Sequence, residues 1–215
     1  MTDLHAAFSS CYTSVVHDVL RGMGRRNFTL PQRLRPLNPE GVLTGPAFTI
    51  EGRIDETADA HQTLLAWTGL LSKAPKRHIW TAQPHNHVVA QMGELSAETL
   101  HRKGLLGCVV DGGLRDTNFI LRLGFPCWGV FHTPRDVVGC WLPTATDVPI
   151  LIDDVLIRPG DWLHGDRDGM VCIPAEILAE VAGKAVAAMA TESLVRRAVL
   201  AGMDPQEAYL KHGKF

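Results

Sequence analysis

Two adjacent charged residues, Arg115 and Asp116, follow a glycine pair that ends an apolar run. The run 105–110 is typical of a strand buried on both faces, and Gly112-Gly113 permits backbone angles that a β-carbon would forbid. A helical pattern begins directly afterwards, so we expect the charged pair at the junction of a strand and a helix, a common ligand site in α/β proteins. Two interpretations remain open. One is a surface ion pair near a helix dipole; in the other, Asp116 binds a divalent cation and Arg115 binds a carboxylate or oxyanion.

A second candidate site is the sequence Gly93-Glu94-Leu95, which precedes a helical pattern that begins at Ser96. A glycine and a carboxylate at the start of a helix leave free backbone N–H groups that can bind an anion. The same residues also fit a plain turn followed by a helix N-cap, and the spacing alone favours this simpler interpretation.

Other clusters of polar residues give weaker signals. Asp161, Asp166 and Asp168 are close enough in sequence to suggest calcium, but they lack the length and the distal glutamate of an EF-hand loop, so turns are the better interpretation. His85 and His87 stand two residues apart on an irregular segment, a spacing that is not diagnostic of a metal site. The sequence contains neither a phosphate-binding glycine motif nor a nucleophile elbow, so it predicts neither a nucleotide-binding protein nor a serine hydrolase.

The bulk composition predicts a globular protein. The 215 residues are 46% apolar and 20% charged, which is ample for a core and fits a single domain, 1–215. The net charge of −2 gives no electrostatic reason to expect a nucleic-acid partner. No apolar run is long enough for a membrane span and no signal-peptide pattern is present, so a cytoplasmic protein is expected. The five cysteines include no Cys-x-x-Cys pair, which argues against a disulfide framework and a zinc site.

Hydrophobic periodicity and turn residues predict the elements that must position these sites. Helices are predicted over 13–23, 59–71, 96–103, 117–123, 175–202 and 205–211. Strands are predicted over 41–52 (broken in two at Gly45-Pro46), 77–82, 105–110 and 170–173, with a hairpin over 149–157 that turns at Asp153-Asp154. This order is not a clean βαβ alternation, so it predicts a mixed, layered α/β protein rather than a doubly wound nucleotide fold.

Several segments together match a known family pattern, in order and over most of the chain. They are 14–20, 43–49, 93–95, 104–116, 124–126, 159–161 and 166–174. This set, with its Asp-Gly-x-x-Arg-Asp core, resembles the 4-hydroxy-4-methyl-2-oxoglutarate aldolases and the related regulator of ribonuclease activity A. The resemblance implies a swivelling β/β/α layered fold. The helices predicted at the N- and C-terminal ends would flank it, the latter as a helical extension over about 175–215. It also implies homotrimers or homohexamers with sites between subunits.

The resemblance further implies a class II, metal-dependent lyase that cleaves 4-hydroxy-2-oxo acids to pyruvate, often with oxaloacetate decarboxylase activity. Asp116 would hold Mg²⁺ or Mn²⁺, with waters in most of the other positions. Arg115 would contact the keto and carboxylate oxygens of a small 2-oxo acid substrate. Gly93 and the backbone amides around Leu95 and Ser96 would receive the pyruvyl carboxylate.

Two glutamates complete the set that the resemblance assigns. Glu94 would hold a metal-bound water, although the aldolases carry aspartate at this position, one methylene shorter. Glu192, in the C-terminal helix, is matched by spacing only to an acid that a neighbouring subunit contributes in the aldolases.

The residue types are chemically coherent with this reaction, because a divalent cation and an arginine can stabilise the pyruvate enolate left by carbon–carbon cleavage. Two alternatives remain. One is a regulatory binding protein without catalysis, similar to the ribonuclease regulator. That regulator lacks the long C-terminal extension of this chain, and this chain retains both Arg115 and Glu94, so the enzyme is favoured. The other is an enzyme of the same scaffold that acts on another hydroxy or oxo acid.

Overall fold

The computed structural model describes residues 3–213, which form helices at both ends of the chain and a strand-rich middle. The helices are α1 (Leu4–Ser9), α2 (Thr13–Gly22), α3 (Ala60–Lys73), α4 (Glu94–Arg102), α5 (Thr117–Leu123), α6 (Leu178–Leu200) and α7 (Pro205–His212), with a short 3-10 turn over Ala175–Ile177. The strands are β1 (Arg35–Pro36), β2 (Leu43–Ile54), β3 (Ile79–Gln83), β4 (Ala90–Met92), β5 (Gly107–Val110), β6 (Gly113–Leu114), β7 (Cys127–Gly129), β8 (Phe131–His132), β9 (Trp141–Thr146), β10 (Ile150–Ile152), β11 (Val155–Ile157), β12 (Trp162–Asp166) and β13 (Gly169–Ile173).

The main sheet has the strand order β1-β7-β5-β3-β2-β12-β13, and β9 also pairs with β2. Its centre, β2-β3-β5-β7, is parallel, whereas β1, β9, β12 and β13 pair antiparallel with their neighbours. Strands β4, β6 and β8 form a separate, fully parallel sheet, and β10 and β11 form the predicted hairpin. The expected layered α/β class with flanking helices is confirmed.

Strand β2 runs without interruption from Leu43 to Ile54, so the predicted break at Gly45-Pro46 is wrong. Pro46 has no N–H to donate, but it lies where β2 changes partners. Up to Pro46 the strand pairs with β12, and from Ala47 it pairs with β3 on its other side. A missing donor is tolerated at this position, so the strand continues.

Two other predictions need correction. Helix α4 begins at Glu94, two residues before the predicted start, with Gly93 as its N-cap residue. The segment Trp162–Asp166 is a strand, although only turns were predicted on either side of it. It pairs with β2 on one side and β13 on the other, and this double pairing outweighs its mixed composition.

The buried apolar residues form three groups, and helices pack over two of them. Helices α3, α4 and α5 pack with one face of the main sheet around Trp67, Trp80 and Trp141. Helices α1, α2 and α6 pack against β12 and β13 around Phe8 and Leu20. Within residues 3–213, no helix combines the length and the apolar character that a membrane crossing requires.

Candidate functional site

The small parallel sheet brings the predicted site residues together. The chain leaves β4 into Gly93 and α4, leaves β6 into Arg115 and Asp116, and leaves β8 toward Asp136. The carboxyl ends of parallel strands meet at one edge of a sheet, so these segments converge although they are distant in sequence. The backbone N–H of Arg115 donates to the Met92 carbonyl at 2.9 Å, so the pairing of β4 with β6 continues up to Arg115.

Asp116 lies at the centre of the site. Its Oδ2 accepts a hydrogen bond from the Glu94 backbone N–H at 3.2 Å and lies 3.3 Å from the Arg115 Nε. The residue has a φ of +54°, in the left-handed region, which is uncommon for a residue with a β-carbon. Backbone strain of this kind is often found at functional sites.

The Arg115 guanidinium is held between two carboxylates. Its Nη1 lies 3.0 Å from the Asp136 Oδ2, opposite the contact that its Nε makes with Asp116. All three side chains are about one-third exposed, so they remain accessible from the solvent. Asp136 was not predicted from the sequence, because an isolated aspartate after a short strand gives no local signal of its partner.

Gly93 is required by the close approach of these charged groups. A β-carbon at this position would lie 2.8 Å from the Asp116 Oδ2 and 3.0 Å from both the Cγ and the Nε of Arg115. The φ of Gly93 is −137°, which any residue can adopt. The requirement for glycine at this position is therefore one of space and not of backbone angle.

The first turn of α4 faces the same site. In an α-helix the first backbone N–H groups have no intrahelical acceptor, and together with the helix dipole they favour an anion. The N–H of Glu94 is taken by Asp116, which leaves those of Leu95 and Ser96 available in the same turn. Because the helix begins at Glu94, these amides belong to the helix itself and not to a preceding turn.

These groups line a cleft of about 310 Å³. One wall is apolar and comes from α3 and the loop after β8, including Leu64, Trp67 and Val137. The indole N–H of Trp67 donates to the Ser96 Oγ at 2.9 Å and so joins α3 to the first turn of α4. The buried Gln91 also lines the cleft, and its amide nitrogen has no hydrogen-bond partner in the described part of the chain. The cleft thus combines an apolar wall, a cation, carboxylates and free donors.

Asp111, the first aspartate of the Asp-Gly-x-x-Arg-Asp sequence, is buried away from the cleft. Both of its oxygens accept hydrogen bonds from Arg33, at 2.9 Å and 2.8 Å, and Gln83 donates to it at 2.8 Å. Arg33 also pairs with Asp153 of the hairpin turn, and these contacts raise the pKa of Arg33 above its usual range. Asp111 therefore anchors the strand end that leads to Arg115.

The weaker candidates have structural roles. The Asp161 carboxylate accepts the backbone N–H groups of Arg158 and Ala175, and that of Asp166 accepts those of Thr13 and Asp168. The contacts within 158–161 and within 166–168 confirm the interpretation of Asp161 and Asp166 as turn-forming aspartates.

Two other predicted positions lie elsewhere. His85 contacts Glu51 at 3.1 Å. Glu192 lies on α6, which packs against α1, α2 and α7 of the same chain, and it does not line the cleft within this chain.

The donor set suits a hydrated divalent cation. Among residues 3–213, no group of three or more His, Cys, Asp or Glu side chains is arranged to hold a metal by itself. Asp116, Glu94 and Asp136 nevertheless line one cleft. Mg²⁺ is commonly bound through only one or two carboxylates and keeps several waters, so these residues fit Mg²⁺ or the similar Mn²⁺.

The fold and the cleft define a layered α/β protein with an arginine–carboxylate site at the end of a small parallel sheet. Residues 13–172 match the RraA-like family, described as Aldolase/RraA, and the chain belongs to this family. Its fold is correspondingly that of the RraA-like proteins, as the resemblance implied.

Individual relatives are similar over most of this chain. A protein of Halalkalibacterium halodurans, named "Putative 4-hydroxy-4-methyl-2-oxoglutarate aldolase", is 27% identical over 97% of this chain and 94% of its own length. Protein DlpA of Legionella pneumophila is 26% identical over 97% of this chain, which spans only 33% of that longer protein. The crystal structure of RraAS2 of Streptomyces coelicolor, described as an unusual member of the RNase ES inhibitor RraA protein family, superposes with a TM-score of 0.80. It is 26% identical, over 91% of this chain and 96% of that one.

Proposed function

We propose that this protein is a divalent-metal-dependent lyase that cleaves a 4-hydroxy-2-oxo acid to pyruvate and can also decarboxylate oxaloacetate. The observation that carries the proposal is the convergence of Arg115, Asp116 and the first turn of α4 on one cleft. The aldolase name of the Halalkalibacterium halodurans relative supports the same reaction class.

Different groups of this chain bind different parts of the substrate. The Leu95 and Ser96 N–H groups, at the positive end of α4, receive the carboxylate of the 2-oxo acid. Arg115, oriented by Asp116 and Asp136, donates to the keto oxygen, on which negative charge develops during carbon–carbon cleavage. The apolar wall excludes water from the remainder of the substrate and strengthens these electrostatic contacts.

The carboxylates have two roles, which are to bind the cation and to accept a proton. Asp116 would hold Mg²⁺ or Mn²⁺ and Glu94 would contact it through water; when bound, the cation supplies positive charge that stabilises the enolate of pyruvate. Glu94 lies in the first turn of α4, where its Oε atoms can hold a water and accept, through it, the proton of the substrate's 4-hydroxyl. The additional methylene relative to aspartate extends the reach of this carboxylate into the cleft.

Exposed apolar side chains at the rim of the cleft support a site shared between subunits, and the homotrimer or homohexamer that the resemblance implies is proposed on this basis. Leu95 is 76% exposed and Leu64 is 46% exposed, and both line the cleft. Large apolar side chains grouped beside a polar cleft are typical of protein interfaces. A neighbouring copy that covers them would also bring its own residues, of which Glu192 is the candidate, to this cleft.

Pyruvate release from 4-hydroxy-4-methyl-2-oxoglutarate and from oxaloacetate, measured with Mg²⁺ or Mn²⁺, tests the proposal. We expect turnover that EDTA abolishes and that added metal restores. Asp116→Ala should abolish it, and Arg115→Gln should lower kcat/KM by about 10²–10³-fold, as for loss of a donor to a developing oxyanion. Asp18→Ala is a matched control, because Asp18 is a similarly exposed carboxylate beside an arginine but lies outside the cleft. Turnover that survives EDTA or Asp116→Ala would refute the metal-dependent mechanism.

A regulatory binding protein is the second candidate, because RraAS2 is described as belonging to a family of RNase ES inhibitors. The assay of pyruvate release also distinguishes these two candidate functions. A correctly folded protein that is silent with every 2-oxo acid tested, with and without metal, favours the regulatory function. Turnover of a different hydroxy or oxo acid keeps the lyase class and changes only the substrate.

A further inference from the structure

A second cavity, of about 300 Å³, lies between the loop that follows α2 and the turns of the β10–β11 and β11–β12 connections. It shares no residue with the candidate catalytic cleft. Three arginines line it, Arg25, Arg26 and Arg158, over a floor that includes the buried side chains of Leu20 and Phe28. The cavity therefore has an apolar floor and a cationic rim.

The backbone that carries Arg25 and Arg26 is fixed at both ends. Arg25 donates its N–H to the Leu20 carbonyl at 3.0 Å, which closes the end of α2. Asn27, with a φ of +53°, turns the chain back toward β13, where the Phe28 carbonyl accepts the Cys172 N–H at 2.7 Å. The loop thus presents two adjacent arginines from a defined position.

The backbone of Arg158 is fixed by the buried Asp161. The Arg158 N–H donates to the Asp161 Oδ2 at 2.8 Å, and the Asp161 N–H donates back to the Arg158 carbonyl at 3.0 Å. The same aspartate accepts the Ala175 N–H, so the turn is tied to the start of the C-terminal helical segment. The third arginine is therefore also held in place by contacts that do not use its guanidinium.

The three guanidinium groups have no ion pair and no side-chain hydrogen bond within residues 3–213. This differs from Arg33 and Arg115, each of which contacts two carboxylates. Asp154 is the acidic residue of the lining, yet it forms no ion pair with the arginines. An excess of positive charge around a concave, partly apolar surface favours the binding of an anion.

We propose that this cavity binds a small organic anion with two or more negative charges, either a phosphate ester or a polycarboxylate, at a site separate from the catalytic cleft. The guanidinium groups would make bidentate contacts with its phosphate or carboxylate oxygens. Asp154 would accept a hydrogen bond from a hydroxyl of the ligand, and the apolar floor would contact its carbon skeleton. A cavity of about 300 Å³ limits the ligand to metabolite size.

Isothermal titration calorimetry of the full chain tests the proposal, with divalent metal removed beforehand and no chelator in the buffer. Pyrophosphate and citrate serve as separate probes for the phosphate and the polycarboxylate classes. We expect saturable binding of at least one of them, with competition by inorganic phosphate if the phosphate class is preferred. Each arginine contact to an anion is worth about tenfold in affinity, so Arg26→Gln combined with Arg158→Gln should weaken binding about 100-fold. These side chains are exposed, so the unfolding temperature of the variant should remain unchanged.

Two control variants locate the binding. Arg21→Gln removes the same charge from the exposed end of α2 without touching the cavity, and Arg115→Gln removes the arginine of the catalytic cleft. Binding that persists in both and is lost in the double variant supports the proposal. Binding lost in Arg115→Gln and retained in the double variant would place the anion in the cleft and overturn it. An equal weakening by Arg21→Gln, or no saturable binding of either probe, would also overturn it.

Discussion

At the scale of single residues, the candidate site depends on how closely Gly93 lies to two charged side chains. The hydrogen atom of glycine leaves room for the Asp116 carboxylate and the Arg115 side chain to meet above the start of α4. The site geometry is therefore set by a residue that carries no chemistry of its own.

We predict that Gly93→Ala abolishes or strongly lowers pyruvate release without unfolding the protein. The new β-carbon would lie 2.8 Å from the Asp116 Oδ2, so the carboxylate or the helix end must move, and a displacement of about 1 Å can cost about 10²-fold in rate. Gly183→Ala is the matched control, because that glycine lies within α6 with open space around its β position. The control should retain activity and gain up to about 1 kcal/mol of stability. Equal activity of the two variants would contradict this account of Gly93.

At the scale of elements, the cleft depends on how α3 meets α4. The indole of Trp67 packs edge-on against those of Trp80 and Trp141, with ring centroids 5.7 Å and 5.9 Å away, and its N–H reaches Ser96. One side chain thus belongs both to the core and to the wall of the cleft. Movement of α3 would be transmitted to the first turn of α4 through this contact.

We predict that Trp67→Phe raises the KM for the 2-oxo acid. It should also lower the free energy of unfolding by about 1 kcal/mol more than the lost volume explains, because the partly buried hydrogen bond to Ser96 is removed. Trp80→Phe is the comparison, since the Trp80 N–H has no partner in the described part of the chain and the ring lies outside the cleft. Urea unfolding and steady-state kinetics measure the two effects. If both variants show the same KM, the contact between Trp67 and Ser96 does not position the substrate.

At the scale of the whole molecule, the first two helices close over the far end of the main sheet. Phe8 of α1 lies 5.7 Å from the rings of both Trp162 and His164 on β12, and α6 packs over α1 and α2. His164 is fully buried in this region. Burial disfavours the imidazolium and lowers the pKa of His164 to about 4, although the charge of Asp166 opposes this shift.

We predict that the protein loses stability as the pH falls from about 6.5 to 4. Over this range the unfolded state binds a proton at His164 and the folded state does not, so acid favours unfolding, by up to about 3 kcal/mol. Urea unfolding across this pH range measures the loss. His164→Gln carries no titratable group and should flatten that part of the profile, whereas an unchanged profile would assign the acid sensitivity to other groups.

The sequence by itself determined the elements whose signals are local. The apolar run before the glycine pair, the helix that starts after Asp116 and the hairpin turn at Asp153 were all predicted, because strand burial, helix periodicity and turn chemistry depend on near neighbours. The family pattern likewise identified five residues that line the cleft, because they lie in the matched segments 93–95 and 104–116. The charged pair Arg115-Asp116 is already prominent from its local pattern, because it lies between the glycine pair and the predicted helix.

Only the tertiary structure decided which distant residues meet. The pairing of β4, β6 and β8 places Asp136 against Arg115, and no local pattern around Asp136 predicts that contact. The segment Trp162–Asp166 became a strand because neighbours on both sides pair with it, and Gly45-Pro46 stayed within a strand because it lies where β2 changes partners. Backbone pairing between strands is a non-local interaction, so its consequences appear only once the chain is folded.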